Sequence, residues 1–392
     1  MSRLPELITI PDRVELGGTI TVPGFVDIHV HCREPSPTNK SETFKQATRA
    51  AVENGNIAIC DMPNNPGHET WTSRRVVEKQ RIIDRDAAIP VGIWAGSQPD
   101  GRCDNIGELS RMANNCVGLK SYGAITTGNE RDYSAEDFGE IHAEWHRVAP
   151  DKPIALHAGK YNLGGFIDMA QKLDHHLHVC HVNDPRDVEE IYKAKKLGIK
   201  ITCGVCPHHL LKDSHDVLTE GWWARMKPPL ATQPDSEKLM HQFSIERKID
   251  ILETDHAPHP EQNKWQAETN NPYGEEERDT CYGVPSLDVA SALMLRQVVL
   301  GNISLDTYIQ STSHIPASII GCQIAKNTSV TWKLDERRIT ERDMRVRAET
   351  SPFLGMLAVG RVQQVVISGT TVYDRGMHLT KAPRVLRGGE EI

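Results

Sequence analysis

Two histidines one residue apart, His29 and His31, close an apolar run near the N-terminus, and an arginine follows at position 33 (Gly24-Phe-Val-Asp-Ile-His29-Val-His31-Cys-Arg33). On a strand, side chains at i and i+2 point to one side, so both imidazoles can reach a single metal ion. Histidines at strand ends also serve as ordinary hydrogen-bonded polar groups, so the pair needs company to carry chemistry. That company lies downstream: Lys120, His157, His181 and Asp255 each end a strand-like run of their own. Neutral imidazoles at His29 and His31 with the hard carboxylate of Asp255 suit one divalent ion, and His157 with His181 suits a second. In His178-Val-Cys-His181 the two histidines lie three apart and face opposite sides of a strand, and His181 is the one nearer the strand end. Two cations need a bridging anion, yet the residue ending the fourth run is Lys120. An ammonium beside two dications is repelled, so a lysine turned inward here has to be deprotonated or chemically capped, the alternative being a lysine that faces solvent or pairs with an acid.

The elements that must position these groups alternate regularly. Strand-like runs fall at Pro23–Val30, Ile57–Asp61, Pro90–Ala95, Cys116–Ser121, Pro153–His157, Leu177–His181, Ile199–Cys203 and Asp250–Thr254. Helical spacing fills the intervals: Phe44, Ala47, Thr48 and Ala51 form one apolar face ended by Gly55, and similar patterns occupy 70–86, 105–114, 135–148, 163–175, 184–197, 234–247 and 286–299. Eight strand–helix units joined by right-handed crossovers predict an α/β chain closed as a (β/α)8 TIM barrel over 23–321. An open parallel sheet is the rival. The barrel is favoured because the candidate ligands sit at the C-terminal ends of the first, fourth, fifth, sixth and eighth runs, where barrel sites are built. After about Gly321 short alternating segments (Ser329–Leu334, Gly360–Ser368, Thr370–Tyr373) predict a small β-sandwich domain made from 1–22 and 322–392. The polar stretch His256–Tyr282 is expected either to cover the site mouth or to be a solvated insertion.

Bulk properties narrow the function. The 392-residue chain has a net charge of −8 with no basic block, which argues against nucleic acid and for a small substrate. Pro and acidic residues interrupt the first 13 positions, so neither a leader nor a membrane span is expected, and the cytoplasm is inferred. Nine cysteines without regular spacing read as reduced thiols. Cys203-Gly-Val-Cys206, followed by Pro207-His208-His209, lacks a second Cys-x-x-Cys and is read as packing.

Several segments together resemble the dihydroorotases of the amidohydrolase superfamily: Pro23-Gly-Phe-Val-Asp-Ile-His-Val-His-Cys-Arg-Glu-Pro35, Asp61-Met-Pro-Asn-Asn65, Gly118-Leu-Lys120, Leu156-His157, His178-Val-Cys-His-Val182, Pro207-His-His-Leu210, Lys227-Pro-Pro-Leu230, Thr254-Asp-His-Ala-Pro-His259 and Gly283-Val-Pro-Ser-Leu287, with Ser351-Pro-Phe-Leu-Gly355 near the end. The resemblance implies two zinc ions per subunit, the first on His29, His31 and Asp255 and the second on His157 and His181, bridged by N-carboxylated Lys120. It also implies that Arg33, Asn64 and His259 hold a substrate carboxylate, for which a planar guanidinium is suited. Thr126 and Thr127 occupy a place comparable to the family's substrate-covering loop.

The implied reaction is the reversible closure of N-carbamoyl-L-aspartate to L-dihydroorotate in de novo pyrimidine synthesis. A zinc-activated bridging hydroxide attacks, and Asp255 acts as general acid and base. Association as a homodimer or with aspartate carbamoyltransferase is left open by the resemblance. Cys32, Gly159, Cys206 and Ala231 depart from the common pattern and leave the subgroup open. Two other readings remain: an allantoinase or hydantoinase, against which Arg33 argues, and an inactive scaffold for aspartate carbamoyltransferase, against which the full ligand set argues.

Overall fold

The computed structural model describes residues 14–35, 42–99, 105–126, 129, 131–159, 161–260, 264, 281–345 and 351–392. Local sequence sets the ends of its helices. Thr43 caps Phe44–Glu53 through a reciprocal pair in which Gln46 N–H donates to Thr43 Oγ1 and Thr43 N–H donates to Gln46 Oε1. Asp184 caps Pro185–Lys196, with proline in the first turn and Lys193, Lys195 and Lys196 in the last, where cations oppose the helix dipole. After Asn54, Gly55 takes a φ of 82° directly beneath the Trp332 ring, where a Cβ would collide.

Strand β1 (Thr19–Val22) belongs to a second sheet, and the barrel begins with β2 (Phe25–Val30), β3 (Asn56–Asp61), β4 (Val91–Gly96) and β5 (Gly118–Tyr122). It continues through β6 (Ile154–His157), β7 (Leu177–Val179), β8 (Ile201–Val205) and β9 (Ile251–Leu252), all paired in parallel and in sequence order. A parallel bridge between Val30 and His256, in which His31 N–H donates to the His256 carbonyl at 2.8 Å, brings the last strand back to the first. The protein is therefore a (β/α)8 TIM barrel. Seven of the eight strands have every residue buried, and in β8 Thr202 alone is half-buried, as expected for strands covered on both faces. The strands match the sequence expectation to within a few residues. The later runs are trimmed most, because the chain turns sharply just past β7 and β9.

Strands β10 (Ser329–Arg338), β11 (Leu357–Ile367), β12 (Thr370–Asp374) and β13 (Met377–His378) join β1 in an antiparallel sheet, and helix Ala290–Val299 packs against β11. Not all of 322–392 stays with that sheet. Strand β14 (Val385–Leu386) returns to the barrel and pairs in parallel with Val91 and Gly92 of β4, since both its residues are apolar and buried. Positions 1–13 and most of the 256–282 stretch lie outside the described residues. Among the described residues, no helix is long and apolar enough to cross a membrane.

Candidate active site

The ends of six strands bring the site together. His29 is the fifth residue of β2, and His31 lies just beyond that strand. Their Nε2 atoms stand 3.2 and 3.1 Å from the same oxygen, Oδ1 of Asp255, past the end of β9. These donor atoms converge on one point and are all buried, a nitrogen-and-oxygen set suited to a divalent ion. His157, the last residue of β6, and His181, just past β7, face each other through Nδ1 and Nε2 at 2.9 Å, and the His181 ring lies 5.0 Å from that of His29. Lys120, fully buried in β5, donates from Nζ to Cys180 Sγ at 2.9 Å. Its charge acts on His29, His31, His157 and His181 alike, so it stands among the candidate ligands.

Two partners escaped the sequence reading. Glu253, fully buried, accepts from His29 Nδ1 at 3.1 Å through Oε2 and from the His181 backbone N–H through Oε1. Cys180 joins His29 and Glu253 in a second buried group of potential ligands. A signal was present: a glutamate inside a buried apolar run is costly unless paired, and Gly204 on the adjacent β8 leaves the space it fills. A Cβ at Gly204 would collide with the Glu253 carboxylate. His178 does not simply turn away from the interior. Its Nδ1 meets Thr202 Oγ1 at 3.0 Å while its Nε2 lies 3.5 Å from Glu253 Oε2.

The electrostatics suit a cation. Burial opposes ionisation of Glu253, but the charge of His29, the nearby His178 ring and the hydrogen bond from His29 outweigh it and hold the carboxyl well below its usual range. Burial, followed by Arg33 at His31, Lys120 at His157 and His157 at His181, keeps these three rings neutral, with His157 lowered to about 3. Neutral imidazole is the form that binds metal. His29 is the exception: burial and Lys120 push it down, Asp255, Cys180 and Glu253 push it up, and it is raised to about 10.

Arg33, nearly buried and at a φ of 55°, brings Nη2 to 3.3 Å from His259 Nε2. That nitrogen lies 2.7 Å from the Tyr282 carbonyl, which can only accept, so His259 donates to it and Arg33 stands beside the ring as a second donor. Asn64 is buried on the segment after β3. There Met62 N–H donates to the Val30 carbonyl and the Asn65 amide reaches the Pro35 carbonyl, so the segment runs alongside the one carrying Arg33. Thr126 is half-buried in a turn after β5, held by mutual backbone hydrogen bonds with Asn129 at 3.1 and 2.9 Å. Thr127 lies outside the described residues. His181 and Asp255 share with Arg33 a left-handed backbone, at φ 37° and 45°. Such a conformation costs a residue with a side chain roughly 1–2 kcal/mol.

The chain is 27% identical over 403 residues to a dihydroorotase of Macrococcus caseolyticus, covering 93% of this chain and 90% of that one. The chain is homologous to the dihydroorotases. It is also 29% identical over 378 residues to the multifunctional protein CAD of Squalus acanthias, matching 96% of this chain but only 16% of that much longer protein. Among solved structures, L-hydantoinase from Arthrobacter aurescens superposes with a TM-score of 0.82 at 23% identity, over 93% of this chain and 88% of that one. At this identity the likeness speaks for the fold alone. No protein-family model matches the chain.

Proposed function

We propose that this dihydroorotase homologue interconverts N-carbamoyl-L-aspartate and L-dihydroorotate as a zinc-dependent cyclic amidohydrolase. The observation that carries the reading is the position of Arg33: two residues past His31, its buried guanidinium meets His259 beside a metal-capable centre. A buried cation flanked by a second donor favours a substrate bearing a carboxylate, as dihydroorotate does and hydantoin and allantoin do not. Asn64 is assigned to the same carboxylate, and Thr126 and Thr127 to the loop that covers the substrate.

His29, His31 and Asp255 would hold one ion and His157 and His181 another, with Lys120 joining them as an N-carboxylated bridge. The buried position of Lys120 among four histidines supports this assignment, since carboxylation would replace an ammonium there with an anion. Bound zinc ions supply Lewis-acid polarisation of the amide carbonyl and acidify water. Asp255 accepts the proton of the attacking water and delivers it to the ring nitrogen as the C–N bond breaks; in the closing direction it returns that proton to the departing oxygen. Glu253 orients His29 by accepting from Nδ1, leaving Nε2 directed at the Asp255 side. The reading includes a cytoplasmic location and association with aspartate carbamoyltransferase or a second copy, which co-elution of the purified proteins tests.

The test is turnover by the purified protein of L-dihydroorotate and N-carbamoyl-L-aspartate against hydantoin and allantoin, with zinc counted on the same sample. Efficient opening of hydantoin or allantoin without turnover of dihydroorotate overturns the substrate assignment. Absence of both zinc and turnover points instead to a scaffold.

A further inference from the structure

We propose that Cys206, His208 and His209 form an additional metal site, sharing no residue with the sets above, that binds a zinc-class divalent ion through one thiolate and two imidazoles. The three follow β8 directly, Cys206 preceding the short helix Pro207–Leu211 and the histidines lying in its first turn. All three side chains are fully buried, and one donor atom from each lies within 4.8 Å of the other two.

The hydrogen bonding singles this group out. Among the described residues, neither Nδ1 nor Nε2 of His208 has a hydrogen-bond partner, although the ring is 0% exposed. A buried imidazole with both nitrogens unsatisfied is costly, and a metal ion relieves the cost at the nitrogen it takes. His209 Nε2 lies 3.1 Å from the Pro228 carbonyl, which can only accept, so the proton sits on Nε2. The Nδ1 lone pair is thereby left available, and it too is unpartnered. A ring nitrogen fixed on a carbonyl while the other stays free is how proteins orient metal-binding histidines. Cys206 precedes the helix without a side-chain capping hydrogen bond, so its sulfur is not committed to the helix N–H groups. Burial, followed by the charges of Asp255 and Glu253, holds the Cys206 thiol well above its usual range, so it becomes a thiolate only when a cation binds beside it, whereas burial and then His209 keep the His208 ring neutral, the form that binds metal.

The neighbouring Cys203 does not take part. Its sulfur points to the Lys248 carbonyl at 3.9 Å, so the Cys-x-x-Cys spacing does not close into a knuckle. The sulfur donor comes from Cys206 with the two histidines after Pro207. One sulfur and two nitrogens match zinc's preferences and leave a fourth tetrahedral position open.

Cobalt(II) is the probe, loaded into the full chain after removal of bound metal by a chelator. The Cys180→Ser protein is the background, because the Cys180 thiol lies beside the His29 centre. It is expected to keep a thiolate-to-cobalt absorption band in the near ultraviolet, and X-ray absorption at the cobalt edge is expected to find a sulfur neighbour. Adding Cys206→Ser should abolish the band, and Cys206→Ser or His208→Gln should each lower bound metal by one equivalent per chain. A cobalt shell of nitrogen and oxygen alone in Cys180→Ser overturns the proposal without any change at the proposed site. Unchanged metal content in both the Cys206 and His208 variants overturns it as well. None of these readouts depends on turnover, so a failure here is distinguishable from a failure of the dihydroorotase reading.

Discussion

Glu253, from the end of β9, accepts the backbone N–H of His181 from the end of β7, and its other carboxylate oxygen accepts from His29 Nδ1 at 3.1 Å. One side chain thus sets the position of two candidate ligands on separate strands. Glu253→Gln keeps the shape but removes the charge and one acceptor. Metal affinity is expected to fall by about 10- to 100-fold, as for other residues that orient metal ligands. Metal titration of the stripped protein measures it, and unchanged affinity would leave Glu253 a packing group.

Gly204→Ala reaches the same centre from the neighbouring strand. The added methyl group has no room beside the Glu253 carboxylate, so the variant is expected to lose about 1–3 kcal/mol of stability, as overpacked cores do. It should also bind metal more weakly. Thermal unfolding with and without metal separates the two effects.

Lys120→Ala is expected to lose most of its metal and its turnover. Added short carboxylic acids such as propionate should restore part of the activity by replacing the bridge. Wild-type turnover in this variant would make Lys120 peripheral.

Arg33→Met should keep its metal while KM for dihydroorotate rises about 10- to 100-fold, since a charge-assisted hydrogen bond is worth roughly 1.5–3 kcal/mol. Metal content and kinetics on one sample decide it. Metal loss together with activity would mean that Arg33 supports the centre rather than the substrate.

His142 supplies a pH test away from the metal residues. Its ring is buried, with Nε2 2.9 Å from Ser121 Oγ, and burial followed by the charge of His175 lowers it from 6.5 to about 3. Between those values the unfolded chain carries a proton that the folded ring does not. The contribution is therefore complete above pH 6.5 and is lost as pH falls toward 3, by up to about 1.4 kcal/mol per pH unit. Denaturant unfolding of wild type and His142→Gln across this window should show a shallower acid decline in the variant.

The barrel was legible because apolar runs and helical faces alternate with little interruption, and most candidate ligands because histidine, lysine and aspartate end those runs. Glu253 was not, since its role depends on Gly204 across the sheet and on a backbone N–H two strands away, neither of which local spacing records. The turn that aims His181 was equally hidden. Strand reasoning assigned His178 and His181 to opposite faces, whereas β7 ends at Val179 and the chain then enters a left-handed conformation. Strand β14 escaped notice because two apolar residues do not announce which sheet they will join.

The left-handed backbones of Arg33, His181 and Asp255 set heat resistance against chemistry. Glycine at any of these positions would relax the main chain by roughly 1 kcal/mol, while deleting a guanidinium, an imidazole or a carboxylate. A library of metal-stripped protein, in which losing a ligand forfeits no binding energy, screened only for survival at high temperature would therefore be drawn toward glycines at 33, 181 and 255 and toward sturdy, inert barrels. Directed evolution of this scaffold has to score turnover in every round.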